Sequence, residues 1–438
     1  MVNPLWNSWN LLSEEGRQRW IFDKNKALDV LKTSDEQVLL DELDKQFIYN
    51  KFSNPNTSDK VLHSKKITFN NKHKSESASE SYEQGLAYFS ELQQKDGNWA
   101  GDYGGPNFLL PGLVFVLYAC QEMPTPEKQV LMRRYILNHQ NDDGGWGLHI
   151  EDTSTMFGTV LNAVSLVLLG CSVDDERISK AFSWIHQHGG AHTIPPWGKM
   201  YLAILGLYKW DGLDAMLPEM WLLPKKLPIY PGNYWNHARM VYLPMSYLSG
   251  VQFVAKQDSV LQKIQHALYP NGMDVVQWKK ARRECCIKDD YYPETKIYKF
   301  IAPILNAYNR YPLTFLRKKA LKNCERRMQM EDKHTNYINL GPVNKVLNLL
   351  CVFISEGKSE NFSKHINRID DYLWLSEDGM KMNGYNGSQF WDTIFMSHLL
   401  LEKMKKILKN LIALFQKEDG PFQLLLMDGR SQIALQKV

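Results

Sequence analysis

YFSELQQKDGNWAGDYGGP (residues 88–106) and YILNHQNDDGGWGLHIED (residues 135–152) carry the same pattern. In the first, Gln93, Gly97 and Trp99 form Gln-x-x-x-Gly-x-Trp; in the second, Gln140, Gly144 and Trp146 repeat it. Each copy follows an apolar, helix-like stretch and precedes another. The pattern predicts that a helix ends at the glutamine, an Asp-Gly turn follows, and the tryptophan folds back over the next helix. A unit repeated in this way cannot bury its apolar face alone and is stable only when stacked on its neighbours. The separation between the copies suits a pair of helices with their turns.

The sequence downstream keeps the helical period. Phe157, Val160, Leu161, Val164 and Leu168 fall on one helix face, with Ser154 as the expected N-cap and Gly170 as the stop. Strand-like alternation is rare, so the expected class is all-α. Residues 1–80 read as an N-terminal segment with aromatic anchors (Trp6, Trp9, Trp20, Phe22) followed by a polar linker over 51–80. Residues 81–400 form the helical body. Residues 401–438 are a divergent tail, entered by a basic amphipathic helix on which Leu400, Met404, Leu408 and Leu411 share a face.

Composition excludes several functions. A chain of 438 residues that is 44% apolar buries one large core or two ordinary ones. The net charge is only +4, and no basic stripe is interleaved with aromatics, so nucleic acid is not an expected partner. Cys120, Cys171, Cys285, Cys286, Cys324 and Cys351 contain no Cys-x-x-Cys pair, and a reducing compartment is the default reading. The opening MVNPLWNSWNLL lacks the apolar core of a signal peptide. No apolar run is long enough to span a bilayer as a helix, which leaves a monotopic contact open.

Familiar site signatures are absent from the sequence. There is no Gly-rich phosphate loop, no His-Glu-x-x-His and no Gly-x-Ser-x-Gly. Glu151 and Asp152 are adjacent and do not face each other on a helix, so they read as a capping cluster. His186 and His188 have no third ligand in reach; no metal and no cofactor are expected. A different resource is the aromatic density of Trp197, Tyr201, Trp210, Trp221, Trp235, His237, Tyr242 and Tyr247. Such rings are usually core. Their other use is to line a cavity and stabilise cations through their π faces. That use suits chemistry in which positive charge migrates along a hydrocarbon while water is kept out.

Residues 211–235 interrupt the helices with Pro218, Pro224, Pro228 and Pro231. The segment is nonetheless rich in apolar residues around Lys225 and Lys226. Composition favours a buried irregular crossing of the core; the other reading is a patch that dips into a membrane interface.

The two repeats resemble the QW motifs of triterpene cyclases, and the words around them are similar to eukaryotic oxidosqualene cyclases of the lanosterol and cycloartenol synthase type. These words are DGNWAGDYGGPNFLLPGLVF (96–115), DDGGWGLHIEDTSTMFGTVLN (142–162), PPWGKMYLAILGLYKWDGL (195–213), LPEMWLLP (217–224), YWNHARMVYLPMSYL (234–248), GPVNKVLN (341–348) and DGMKMNGYNGSQFWDTIF (378–395). Together the resemblance covers roughly residues 5–400. It implies an α/α-barrel of helical hairpins, with a second barrel incomplete in this sequence. It implies 2,3-oxidosqualene as substrate, opened by epoxide protonation and cyclised through cations. It also implies monotopic membrane contact through 211–235, reversing the preference from composition, on the cytosolic side of the endoplasmic reticulum or a lipid droplet.

By matching motifs, the resemblance assigns substrate-cavity roles to Tyr103, Trp197, Trp235, His237, Tyr242 and Trp391. Tyr103 would shape the folded substrate, Tyr242 would stand at the channel constriction, and Trp391 would stack on a ring-forming cation. The family's Asp-Cys-Thr-Ala-Glu motif, whose aspartic acid protonates the epoxide, does not occur in the sequence. No catalytic residue is therefore assigned, and the expectation is a chain inactive as given, with a non-catalytic lipid-binding fragment as the alternative. An unrelated α/α-barrel such as a prenyltransferase subunit would need a zinc-ligand set, and none is evident in the sequence.

Overall fold

A computed structural model describes residues 4–14, 17–49, 75–93, 97, 99, 102, 104–291, 295–384, 388–418, 422–425 and 434–437. The described chain is mostly helical, arranged as a buried layer of helices with an amphipathic layer against it. Leu109–Ala119 packs on Met156–Leu168, Pro196–Ile204 and Pro342–Glu356, and Asn236–Val251 packs on Pro342–Glu356. All thirteen residues of Met156–Leu168 are buried, including the polar Thr159 and Asn162, which hydrogen-bond to neighbouring segments. The second layer is amphipathic. Glu176–Gln187 buries Ile178, Ala181, Phe182, Trp184 and Ile185; Ser259–Leu268 buries Leu261, Ile264 and Leu268. Both lie on Met156–Leu168.

The helix starts are set by side chains near and far. Thr155, not Ser154, caps Met156–Leu168, accepting from Gly158 N at 3.0 Å. Ser154 is occupied elsewhere, donating to Asp143 Oδ1 at 2.6 Å. The Asp289 carboxylate reaches the same helix start, taking the N–H groups of Met156 at 2.7 Å and Phe157 at 2.9 Å. Gly170 follows the helix at φ +96°, as its expected role as a stop requires.

Both repeats adopt one geometry. The indole N–H of Trp146 donates to Ile136 O at 2.8 Å and that of Trp99 to Phe89 O at 2.6 Å, in each case ten residues earlier. Gln140 Nε2 donates to Gly144 O and Gln93 Nε2 to Gly97 O, both at 2.8 Å. Gly97 and Gly144 have φ of +87° and +93°, a region that side-chain-bearing residues avoid. The main-chain N–H of each tryptophan then points at a threonine on another helix. Trp146 N donates to Thr159 Oγ1 at 3.1 Å, and Trp99 N to Thr393 Oγ1 at 3.2 Å. The first repeat thus holds Ser388–Glu418 in the way the second holds Met156–Leu168. Each turn satisfies the end of one helix and fixes another.

Among the described residues, three antiparallel strand pairs depart from the all-α expectation: Trp9–Glu14 with Arg17–Phe22, Leu373–Ser376 with Gly379–Met382, and Phe422–Leu425 with Ala434–Lys437. The second turns at Glu377-Asp378, and Gly379 sits at φ +115° where a Cβ would lie 2.5 Å from Leu131 O. Periodicity misses it because each strand is only four residues long.

The N-terminal segment is bound into the body. Trp9 and Trp20 are buried, Trp20 meets Trp374 edge-on at 5.6 Å, and the Arg17 guanidinium pairs with Asp371 at 2.9 Å. Glu36–Gln46 buries Leu39 and Leu43 and packs on Pro126–Asn138. Residues 50–74, most of the expected linker, lie outside the described residues. The boundary expected at residue 400 falls inside a helix, since Ser388–Glu418 runs through it.

Two substitutions test the repeat geometry. Trp146→Phe keeps a ring but loses the bond to Ile136, and should cost roughly 1–3 kcal/mol by urea unfolding. Gly144→Ala forces a side chain into the left-handed region against Lys180, and should cost roughly 1–3 kcal/mol. Wild-type stability in both variants would contradict the geometry.

Candidate functional site

Four helices begin at one cavity of about 640 Å³. Leu109 opens Leu109–Ala119, Trp197 lies in the first turn of Pro196–Ile204, His237, Ala238, Val241 and Tyr242 belong to Asn236–Val251, and Pro342, Val343 and Asn344 open Pro342–Glu356. Loops between these starts supply Asp102, Gly104, Pro106, His149, Trp235, Leu340, Gly341 and Gly384. The lining is largely apolar and aromatic, the usual composition of a site for an apolar small molecule. Trp235 stacks obliquely on His237, with ring centroids 4.5 Å apart, and is 72% exposed, so it stands at the rim.

Of the six residues singled out for a cavity, Trp197, Trp235, His237 and Tyr242 meet here. Tyr103 lies outside the described residues, between Asp102 and Gly104, which both line the cavity. Trp391 falls within Ser388–Glu418, and its side chain lies outside the described residues. Trp197 and Tyr242 also line a second chamber of about 420 Å³ with Leu213, Asp214, Met216 and Tyr298. These two rings therefore form the partition between the chambers. Other rings from the same stretch are packing residues. Trp210 donates to Phe253 O at 3.1 Å, Trp221 to Ser246 Oγ at 3.2 Å and Tyr247 to Glu325 at 2.9 Å. His186 and His188 are engaged separately. His186 Nε2 lies 2.9 Å from Ala267 O, and His188 stacks on Trp184 with centroids 3.8 Å apart.

Two charged clusters behind the cavity wall were not legible in the sequence. In the first, Lys381 Nζ lies 2.7 Å from Asp102 Oδ2 and 3.1 Å from Asp378 Oδ2, and His139 Nε2 lies 2.9 Å from Asp378 Oδ2. Burial alone would lower the Lys381 pKa, but the two carboxylates outweigh it and hold it well above the ordinary value. Burial pushes Asp378 up, and Lys381 and His139 more than reverse that. The only sequence signal was a lysine set between methionines in MKM, on a strand whose four residues are all buried.

The second cluster supports the Leu340–Asn344 wall. Glu331 Oε1 accepts from Leu340 N at 3.1 Å and from Asn344 Nδ2 at 2.6 Å, while Asn344 Oδ1 accepts from Gly341 N at 2.8 Å. Lys345, fully buried, donates to Tyr337 O at 2.6 Å and to His365 O at 2.9 Å. These bonds hold Asn336, Tyr337 and Asn339 at φ of +50°, +62° and +65°, a strained course for a tyrosine. Burial lowers the Lys345 pKa to about 7, with Asp332 opposing and Arg368 adding to the shift.

The segment 211–235 divides in two. Leu213, Leu217, Trp221 and Tyr230 are buried, as a core crossing requires, while Leu227, Ile229, Tyr234 and Trp235 are exposed. A larger apolar surface lies next to it. Lys296–Arg310 docks through polar groups: Tyr298 OH and Asn306 Nδ2 donate to Asp214 at 3.0 and 2.8 Å, and Tyr308 OH to Glu219 at 3.2 Å. Phe300, Ile304, Tyr311, Leu313 and Phe315 are left exposed, each more than half. An exposed apolar set of this kind marks an interaction surface. Among the described residues, no helix is long and apolar enough to cross a membrane.

The family model described as the squalene-hopene cyclase N-terminal domain matches residues 82–378. Cycloartenol synthase of Dictyostelium discoideum is 47% identical over 316 residues, covering 72% of this chain and 45% of that protein. Lanosterol synthase of Mus musculus is 42% identical over 331 residues, covering 75% of this chain and 45% of that protein. Lanosterol synthase of Homo sapiens is 37% identical over 396 residues, covering 90% and 51%. The chain spans about half the length of these curated relatives.

The Lys345 cluster sets a measurable pH dependence. With a folded value near 7 against 10.5 for an ordinary lysine, the unfolded chain binds the extra proton between those limits. Stability should therefore rise with pH from about 7 to about 10.5, by up to roughly 1.4 kcal/mol per pH unit from this group. Lys345→Met should remove that slope relative to wild type in urea unfolding at pH 7, 8 and 9. Parallel pH profiles for the two proteins would contradict it.

Proposed function

From the premise that the chain belongs to the squalene-hopene cyclase family, we propose that its cavity binds (S)-2,3-oxidosqualene as part of a triterpene cyclase of sterol biosynthesis. The reaction is epoxide protonation followed by a cation cascade to lanosterol or cycloartenol. The observation that carries this reading is the convergence of Trp197, Trp235, His237 and Tyr242 from separate elements onto one apolar wall. Aromatic faces stabilise a cation electrostatically without a lone pair that would trap it. Tyr103 and Trp391 complete the wall in this reading, and the two helical layers are part of a closed α/α-barrel. Proton delivery is assigned to no residue of this sequence.

Access fits the same reading. The second chamber, separated by Trp197 and Tyr242, is the route by which a water-insoluble polyene reaches the cavity, with Tyr242 at the constriction. The chamber is lined by Tyr298, on the helix whose outer side exposes Phe300 and Ile304. We assign this face, with Leu227, Ile229, Tyr234 and Trp235, to monotopic contact with the endoplasmic reticulum membrane or a lipid droplet. The proposed contact thus extends well beyond 211–235.

Purified protein in detergent, titrated with 2,3-oxidosqualene, should show saturable quenching of tryptophan fluorescence. Trp197→Ala should weaken binding roughly tenfold. Absence of saturable binding would overturn the reading, and binding without any cyclised product would favour a non-catalytic lipid-binding role.

For the membrane face, Phe300→Ser/Ile304→Ser/Phe315→Ser should lower partitioning onto phospholipid vesicles at least tenfold in flotation. Unchanged flotation would exclude this face.

A further inference from the structure

The cavity is ringed by helix N-termini, and that is a problem for cation chemistry. A helix start carries a positive partial charge from its unpaired N–H groups. Four such starts around one cavity would oppose a carbocation unless their field is offset. The wall does this at the start of Pro342–Glu356 and at Gly104, whereas the starts of Leu109–Ala119, Pro196–Ile204 and Asn236–Val251 carry no side-chain cap bond. Gly341 N is turned into Asn344 Oδ1, Leu340 N and Asn344 Nδ2 into Glu331, and Gly104 N into Asp102 Oδ1 at 2.7 Å. The donors of these wall segments are satisfied by side-chain oxygens.

Asp102 goes further. Asp102 is one of the residues lining the cavity, whereas Lys381, its counter-ion, is not. Oδ1 is held by Gly104 N and Oδ2 by the Lys381 ammonium, whose other carboxylate partner is Asp378. The pair is nearly buried, with side-chain exposures of 9% for Asp102 and 5% for Lys381. It is therefore a fixed dipole with its negative end toward the cavity and its positive end behind the wall. Gly104 leaves the room this requires, since a Cβ there would lie 2.3 Å from Lys381 Cδ. Held between two carboxylates, Lys381 offers no free lone pair to trap a cation.

We infer that the Asp102–Lys381 pair is an electrostatic element of the cavity, oriented to favour a positively charged ligand over a neutral one of the same shape. This rests on the cavity's taking an apolar polyene epoxide whose cyclisation passes through cations. Asp102 stabilises positive charge from the wall, and Lys381 is a positioning residue that keeps the carboxylate in place.

The test compares two probes by fluorescence titration in detergent: a dodecyl dimethylammonium ion as the cation, and the neutral branched ether of the same length. Wild type should bind the cation roughly tenfold more tightly than the ether. Asp102→Asn should bring that ratio close to one while leaving ether binding within about twofold. Lys381→Met, which leaves the carboxylate without its ammonium, should raise the ratio above wild type. A structural role alone would weaken both probes together and could not give opposite signs. The double variant Asp102→Asn/Lys381→Met removes the pair, leaves Asp378 with His139 and Ser376 as partners, and should also bring the ratio close to one. Circular dichroism melting identifies any variant that fails to fold; the double variant then decides. An unchanged ratio in Asp102→Asn or in the double variant would overturn the inference alone. Failure of wild type to bind even the ether would overturn the cavity reading and this inference with it.

Discussion

The indole N–H of Trp146, buried and bonded to a carbonyl ten residues earlier, is the contact on which the rest of the architecture depends. Helices buried on every face have no solvent side to tell them where to stop, so their ends must be fixed by specific bonds. The Gln-Gly-Trp turn does this twice. It closes on itself through the glutamine amide and lays the indole N–H on a last-turn carbonyl of the preceding helix. It then hands its main-chain N–H to a threonine on another helix. Met156–Leu168, so placed, carries Leu109–Ala119 and Pro196–Ile204, two of the helices whose starts line the cavity.

How much of this could be read from the sequence depends on range. The repeats, the stop at Gly170 and the helical body were legible because they are local: a glycine at positive φ, a turn pair, a period. The wall rings Trp197, Trp235, His237 and Tyr242 were legible only through resemblance to a known family, since aromatic density by itself gives core and cavity alike. Trp210, Trp221 and Tyr247 come from the same density and bind backbone or neighbouring side chains instead. Asp102 and Glu331 were not legible, and Lys381 showed only as a lysine between two methionines. Asp102 and Lys381 are far apart in the chain, and nothing near either residue announces the other. The hairpin at 373–382 was hidden by strands too short to show a period, and the N-terminal segment by contacts with residues such as Asp371 and Trp374.

These unread residues explain the electrostatics of the cavity. Convergent helix starts make a positive enclosure, and aromatic faces alone would have to work against it. The carboxylates of Asp102 and Glu331 and the amide of Asn344 each take up N–H groups of the wall. Their cost is the burial of charge, met by Lys381 beside Asp102 and Asp378, and by hydrogen bonds from Leu340, Asn344 and Asn348 to Glu331. Fold and site are thus one arrangement: the helix starts that build the wall make the compensation necessary.

The central claim, that these helix starts enclose the binding site for a polyene epoxide, is tested most directly by photolabelling. An oxidosqualene analogue bearing a diazirine, irradiated with the protein in detergent and mapped by peptide mass spectrometry, should mark peptides holding Trp197, His237 or Tyr242. Unlabelled oxidosqualene should compete the labelling away. Labelling confined to the exposed Phe300–Phe315 surface, or insensitive to competition, would contradict the account.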